Sequence, residues 1–269
     1  MELFMPHHPH ALLLCVALIA CNDKGTDTTD AETDVETETD IDTDPPVDTD
    51  VAIDTDPPVD TDDTDMDGVR LRGIVMDFST KAPLEGVAYS GEGYSGTTDA
   101  SGEFRIWVPA ESDTLISLTA DGYPRHDLYQ WAGMGNSYFN NVMMSDATIA
   151  QLAAALQLTH DPTKCIISVS LSEWDGNASS SAHLAGVTVG MDATYDVALA
   201  TDASSPYGVS PGTTTLAGGG SEVTFVNVPA GEVTLTITPP EGYVCPYGQT
   251  TIEAIAGGVV NPAINCIPE

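Results

Sequence analysis

Hydrophobic and polar positions fall into three regimes along the chain. The first is one uninterrupted apolar run, ALLLCVALIA, at residues 11–20. At ~1.5 Å per residue a helix of that length covers about half of a ~30 Å hydrocarbon core, too little to span a bilayer and the length of a signal-peptide apolar region. The second regime, residues 22–67, has almost no apolar pattern. The third begins at Gly68, where short β-rich runs alternate with Gly, Pro and Asp-Gly punctuation. Val69, Leu71 and Gly73 alternate with Arg70 and Arg72, as in a half-buried strand. FRIWV (104–108) and TLISL (114–118) read as further strands, with Ala100-Ser101-Gly102 as the turn before the first of them. Strands at this spacing predict a sandwich. One segment has a helical period instead. In residues 145–158, Ile149, Leu152 and Leu156 line one face, Ser145 or Asp146 supplies the N-cap, and Asp161-Pro162 ends the segment. This helix is expected to pack across the junction of two sandwiches, a partner-docking helix being the alternative.

The third regime repeats itself. Leu84-Glu85-Gly86-Val87-Ala88-Tyr89 returns as Leu184-Ala185-Gly186-Val187-Thr188-Val189. Val108-Pro109-Ala110 returns as Val228-Pro229-Ala230, and Asp121-Gly122-Tyr123 as Glu241-Gly242-Tyr243. The order is kept, and one insertion in the loop-rich stretch 192–220 explains the change of offset. Such ordered matches point to duplication.

These residues carry a resemblance. Gly73 to Asp77, Ala82-Pro83-Leu84-Glu85-Gly86-Val87, Thr97-Thr98-Asp99-Ala100-Ser101-Gly102-Glu103-Phe104 and Asp121-Gly122-Tyr123 are similar to a carboxypeptidase regulatory-like domain. The resemblance implies a small transthyretin-like, Ig-like β-sandwich that accompanies enzymes or receptors without catalysing. It is close over residues 69–129 and weaker over 165–269, where Gly218-Gly219-Gly220-Ser221 replaces the Thr-Thr-Asp-x-x-Gly turn. The expected fold is mainly β: two tandem Ig-like/transthyretin-like sandwiches, at 68–144 and 165–269, joined by a short helix within 145–164.

At the other end, Leu18-Ile19-Ala20-Cys21 resembles a bacterial lipobox placed directly after the apolar run. That resemblance implies that residues 1–20 are removed and that Cys21 carries a diacylglyceryl group and an N-acyl chain, enough lipid for stable anchoring. The leader departs from the usual pattern: MELFMPHHPH has no Lys or Arg and contains Glu2. An ordinary cleaved secretory signal, with Cys21 an unmodified thiol, is the other reading.

Between leader and sandwiches, residues 22–67 hold 16 Asp, 3 Glu and 11 Thr, with Lys24 as the only base. The stretch from Ile41 to Asp50 recurs from Ile53 to Asp62. Nothing here could offset the entropy of ordering, so 21–67 is expected to be a lipidated cysteine followed by a disordered, solvated spacer. It would span about 40 Å as a flexible coil and about 150 Å fully extended. The glycine and bidentate glutamate of a calcium-binding loop are missing, so diffuse cation condensation is expected rather than a specific site. The whole chain has 41 acidic and 7 basic residues in 269, a formal net charge of −34. Binding nucleic acid, which requires Lys and Arg to neutralise phosphates, is thereby excluded as an expectation, as is a polybasic lipid contact.

Chemistry is sparse. His126-Asp127 resembles a base and its orienting carboxylate, yet neighbours on a strand face opposite ways and no activated nucleophile is near. His160 and His183 stand alone, and no metal-binding or phosphate-cradling motif occurs. No cofactor, metal or catalytic residue is expected, and the chain is read as a non-enzyme. After Cys15 and Cys21, the cysteines left are Cys165, Cys245 and Cys266. If residues 250–256 and 259–266 form a hairpin about Gly257-Gly258, Cys245 comes near Cys266. A Cys245–Cys266 bridge with Cys165 a buried free thiol is the first expectation, Cys165–Cys266 the second. Tyr129, Trp131, Tyr138 and Phe139 are candidate ligand-facing aromatics, with a plug in the inter-domain junction as their other reading. The resulting expectation is a lipid-anchored bacterial envelope protein, at the outer membrane or cell surface rather than the inner membrane. It would display two sandwiches for adhesion, scaffolding or binding of an envelope protein. A carbohydrate-binding module using the Tyr129–Phe139 aromatics is the alternative.

Overall fold

The computed structural model describes residues 68–174, 181–205, 208–218 and 220–269. The leader, Cys21 and the acidic spacer lie outside the described residues. Seven strands precede one helix: β1 (Val69–Asp77), β2 (Ala88–Gly91), β3 (Tyr94–Thr97), β4 (Glu103–Val108), β5 (Ser112–Thr119), β6 (His126–Ala132) and β7 (Ser137–Met143). The helix α1 (Asp146–Ala155) follows. Ten more strands complete the chain: β8 (Cys165–Trp174), β9 (Ser181–His183), β10 (Thr188–Met191), β11 (Val197–Thr201), β12 (Val209–Pro211), β13 (Glu222–Val228), β14 (Gly231–Thr238), β15 (Tyr243–Tyr247), β16 (Thr251–Ala254) and β17 (Val259–Pro268). No described helix is long and apolar enough to cross a membrane. The architecture is mainly β, with two tandem Ig-like sandwiches.

The sequence repeat is a repeat of pairing. In the first sandwich β1 pairs antiparallel with β4 and parallel with β7, and faces a layer in which β5 lies between β2 and β6. In the second, β8 pairs antiparallel with β13 and parallel with β17, facing a layer in which β14 lies between β10 and β16. The likeness extends to single hydrogen bonds. Thr98 Oγ1 donates to Leu84 O at 2.6 Å and accepts from Val87 N at 3.0 Å. Thr215 Oγ1 donates to Leu184 O at 2.8 Å and accepts from Val187 N at 3.0 Å. The turn between those partners needs a left-handed residue, and Gly86 (φ 76°) and Gly186 (φ 84°) provide it. Asp99 closes the next turn of the first repeat, its Oδ1 accepting from Ser101 N and Glu103 N, each at 2.9 Å.

The insertion at 192–220, expected to be loop, contains β11 and β12. The short apolar run Val197-Ala198-Leu199-Ala200 pairs along the otherwise open edge of β13, and β12 pairs with β11 in turn. Burial of that run against the second core outweighs the loop character of its surroundings.

Each sandwich buries its own core. Leu71, Val75, Phe104, Ile106, Ile116, Leu118, Leu128 and Met143 fill the first; Ile167, Val169, Leu171, Val223, Phe225, Val260 and Ile264 belong to the second. The two are not independent beads. β6, at the edge of the first sandwich, pairs in parallel with β17, placing Val259 to Pro262 beside His126 to Tyr129. One eleven-stranded sheet therefore runs through both: nine strands follow the order β12-β11-β13-β8-β17-β6-β5-β2-β3, and β9 beside β8 and β15 beside β17 complete it. The β6 ladder ends at Pro262, which has no N–H to donate. Beyond it β15 occupies that side of β17.

The helix lies across this seam, and of the face its period marks Ile149 is buried while Leu152 and Leu156 are half-buried. Ser145 is its N-cap, with Oγ accepting from Thr148 N at 3.2 Å. Ile149 packs on Ile166 and Val259 of the second sandwich, while Thr148 Oγ1 meets Ser79 Oγ of the first at 2.8 Å. Its C-terminus comes earlier than Asp161-Pro162: Gln157 turns left-handed (φ 57°) and Leu158 N donates to Ala153 O at 2.8 Å, closing the last turn.

Candidate functional site

The histidine with the most suggestive neighbour is built into the scaffold. Leading β6, His126 is 1% exposed, its ring poised between Pro124 O, 2.9 Å from Nδ1, and Met144 N, 3.4 Å from Nε2. A protonated Nδ1 and a bare Nε2 satisfy both contacts with a neutral ring. Burial pushes its pKa down to about 4. Asp127 faces the other way and takes both oxygens to Arg125, at 2.8 Å from Nε and 2.8 Å from Nη2. The two therefore share no proton path. His183 Nδ1 accepts from Ser221 N at 3.3 Å, and His160 Nδ1 is buried without a partner among the described residues. Among the described residues no group of three or more His, Cys, Asp or Glu could hold a metal ion.

The disulfide joins Cys245 to Cys266, and Cys165 is a buried free thiol whose pKa burial raises to about 12. The two cysteines are brought together otherwise than by the expected hairpin. Residues 251–254 and 259–268 do not form a hairpin: β16 pairs with β14 in one layer and β17 with β8 in the other. Cys245 instead sits on β15, whose antiparallel pairing sets Val244 opposite Ile267 and Tyr247 opposite Asn265, with an irregularity between. The bridge thus crosses two adjacent strands.

The four aromatics do not form one ligand face. Tyr129 is 4% exposed and buried in the second core, where its hydroxyl accepts from Glu253 N at 3.1 Å. Trp131, two residues along the same strand, stacks on Tyr247 at 5.2 Å, and Trp174 meets that ring edge-on at 4.8 Å. Phe139 packs on Phe104 toward the first core, at 5.7 Å. Tyr138 alone of the four is exposed, at 45%. The reason is topological. β6 and β7 belong to different sheets, and adjacent Tyr138 and Phe139 point to opposite faces of theirs. Tyr129 and Trp131 plug the junction.

A surface that sequence reasoning missed lies on the outer face of β4-β1-β7. Cross-strand register places Arg70 opposite Trp107 and Arg72 opposite Arg105 on one side and Tyr138 on the other. The Arg72 guanidinium lies 5.5 Å from the Tyr138 ring centre, within cation–π range. Glu103, nearly buried, ties the cluster: its Oε2 receives Arg72 Nη2 at 2.6 Å and its Oε1 the Arg105 Nε. Those bonds, Arg72's first, hold its carboxyl below the usual range. The arginine side chains remain open to solvent, at 45% for Arg72 and 60% for Arg105. Three of the seven basic residues in the chain thus share one sheet face with two aromatics. The signal was present in the alternation, since Arg70, Arg72, Arg105 and Trp107 all occupy the outward positions of amphipathic strands.

No protein-family model and no curated protein matches the sequence. Among solved structures, the chain is similar to GBS52, the minor pilin of the gram-positive pathogen Streptococcus agalactiae, at 12% identity over 75% of this chain and 96% of that one, with a TM-score of 0.29. It is also similar to the Bacillus anthracis TIE protein, at 13% identity, 75% of this chain and TM-score 0.25, spanning 34% of that protein's length. The shaft pilin SpaA of Lactobacillus rhamnosus GG is similar at 12% identity over 76% of this chain and 98% of that one, with a TM-score of 0.21.

Proposed function

We propose that the protein is a non-catalytic, lipid-anchored envelope protein. Acylated Cys21 holds it to the outer membrane or cell surface, the acidic segment spaces it, and two carboxypeptidase regulatory-like sandwiches form a head for adhesion, scaffolding or protein-partner binding. The parallel pairing of β6 with β17 carries this reading, because it locks two sandwiches into one unit through main-chain hydrogen bonds. A head so joined resists bending at its waist and suits holding a surface in a fixed orientation. The open arginine–aromatic face of β4-β1-β7 is the contact surface of this proposal, since Arg and aromatic side chains contribute most strongly to interfaces. Intact mass of membrane-extracted protein tests the anchor. A chain beginning at residue 21 with lipid mass, lost on Cys21→Ser, is expected; retention of residues 1–20, or residue 21 without lipid, overturns it. A photo-crosslinker replacing Tyr138 should trap an envelope partner, whereas one replacing the exposed Tyr195 of the second sandwich should not; equal trapping at both removes the face from the proposal.

A further inference from the structure

We infer that the open edge of β7 and the sheet face beside it form a slot that binds an extended peptide without acidic residues as an added strand. The wall of the slot follows from the hydrogen-bond sense of β7. Phe78 N donates to Met143 O at 2.9 Å and continues the parallel β1–β7 ladder. Main-chain groups alternate in direction along a strand, so Phe139, Asn141 and Met143 turn theirs toward β1. Tyr138, Asn140 and Val142 point N–H and C=O the other way, where no backbone group among the described residues meets them. This edge has neither a proline nor a charged side chain, the usual devices that keep an edge strand from pairing.

Stacking of the layers supplies the floor. Tyr89 of β2 meets Phe104 of β4 at 5.4 Å, and His126 Nε2, where β6 begins, lies 3.4 Å from Met144 N, just past β7. The layer β4-β1-β7 thus runs in step with β2-β5-β6, and the next place beyond β7 lies over β17. Asn261 stands in register with Leu128 of the first core, so Asn261, Ala263 and Asn265 face that place. Ser170 and Ser172 lie beside them on β8, and all five are half-buried and uncharged. The helix α1 closes one end over Ile166 and Val259. At the other end Trp174 and Tyr247 share the face of Ser172 and Asn265, with Trp131 stacked on Tyr247. Two donors along the slot, Asn141 Nδ2 and Trp131 Nε1, are buried without a partner among the described residues. Carbonyls of an added strand are the acceptors they lack. From Asn261 to Asn265 the floor extends about 17 Å, which suits a strand of about five to seven residues. An acidic side chain would lose its hydration on this uncharged floor, with Glu222 beside Ser170 in register, so the peptide lacks Asp and Glu. Main-chain bonds supply the affinity, and the floor and aromatic end the selectivity. The slot depends on neither the lipid anchor nor the arginine–aromatic face.

Selection of a random heptapeptide library, displayed on phage, against the full chain tests this, with Asn140→Pro and Ala263→Arg as comparison chains. Proline at 140 removes only an outward N–H and leaves the β1 ladder whole. Arginine at 263 fills the floor without altering β7. Peptides without Asp or Glu should be enriched. Made synthetically, they should bind each variant about tenfold or more weakly, the worth of roughly one main-chain hydrogen bond. An added strand turns alternate amides toward β7, so N-methylating one alternate set of the peptide should abolish binding and the other set should not. That reading needs no variant of the protein. No enrichment, equal binding by Asn140→Pro, or binding that survives both N-methylated sets overturns the inference. Binding lost on Arg72→Gln but kept in Asn140→Pro assigns the peptide to the arginine–aromatic face and also overturns it. So does a parent dimer that Asn140→Pro dissociates, because a strand of a second copy then fills the slot. Photo-crosslinking from Tyr138, repeated in Asn140→Pro, reads the arginine–aromatic face alone, so the two readings fail separately.

Discussion

Thr98 and Thr215 show how much one hydroxyl can hold. Each is nearly buried, and each Oγ1 ties two backbone groups of the turn that opens β2 or β10. Valine keeps the shape but removes donor and acceptor together, leaving Val87 or Val187 N and a carbonyl without their partner in the interior. Thr98→Val and Thr215→Val should each cost about 1–3 kcal/mol, the penalty of an unsatisfied buried group. Serine at the same position keeps the hydroxyl and should recover most of it. Urea unfolding midpoints of the three forms at each site measure this, and a valine variant as stable as the parent would remove the threonine from the turn's support. Asn227 has a comparable role between elements. Left-handed at φ 63° within an irregularity of β13, it donates to Thr159 O at 2.6 Å and accepts from Asp161 N at 2.8 Å, so the chain leaving α1 is fastened to the second sandwich.

At the scale of elements, β17 joins the two sandwiches: β8 lies on one side, β6 and then β15 on the other, with the disulfide across the last pair. A bridge closing a loop of about 21 residues stabilises by roughly 3 kcal/mol in the chain-entropy account. Cys245→Ala/Cys266→Ala should therefore lose about that much, and the loss should register in both sandwiches because β17 belongs to the sheet of both. Amide exchange read separately in β5 and in β13 checks this; protection lost in β13 alone would mean that the seam does not couple them. The seam is also where the sequence was least informative. The strands 69–77 and 103–108 were legible from alternation, the helix from its period, and the duplication from Leu84-Glu85-Gly86-Val87 and its echo. Alternation tells which face of a strand is buried but not which strand lies beside it. Ile252 and Ala254 point into the same core as Val260 and Ile264, so a hairpin about Gly257-Gly258 and an arch between two layers give one and the same pattern. Likewise the nearness of Tyr129 to Tyr138 along the chain suggested a cluster, whereas β6 and β7 turn into different layers. The β6–β17 contact is harder still: His126 and Asp127 are both buried, and their polarity hides a strand enclosed on two sides.

Across the whole molecule, two buried titratable groups oppose each other. Burial lowers His126, near the seam, from 6.5 to about 4, so its neutral ring favours the folded state. That contribution is complete above the unfolded value near 6.5 and is lost as pH falls toward 4. Burial raises Glu222, in the second sandwich, from 4.5 to about 7 despite the Ser170 hydroxyl, and its Oε2 is buried without a partner among the described residues. Its contribution is complete below 4.5 and is lost as pH rises toward 7. Each shift is worth on the order of 3 kcal/mol over its full window, with opposite sign. If the shared sheet makes the two sandwiches one cooperative unit, these contributions cancel in a single calorimetric transition whose midpoint barely moves between pH 4.5 and 6.5 on their account. His126→Gln should then leave Glu222 unopposed, so that stability falls as pH rises. Glu222→Gln should do the reverse. Two sandwiches unfolding separately would instead give two transitions that move in opposite directions with pH in the unaltered protein, and that outcome would refute the coupling assigned to β6 and β17. Scans belong above pH 4.5, because below it hydrogen-bonded carboxylates begin to take up protons. Asp77 is one: burial alone would raise it, but bonds from Thr80, Tyr123 and Ser79 outweigh that and hold it low. Its loss on acidification would add to that of His126 and obscure the cancellation.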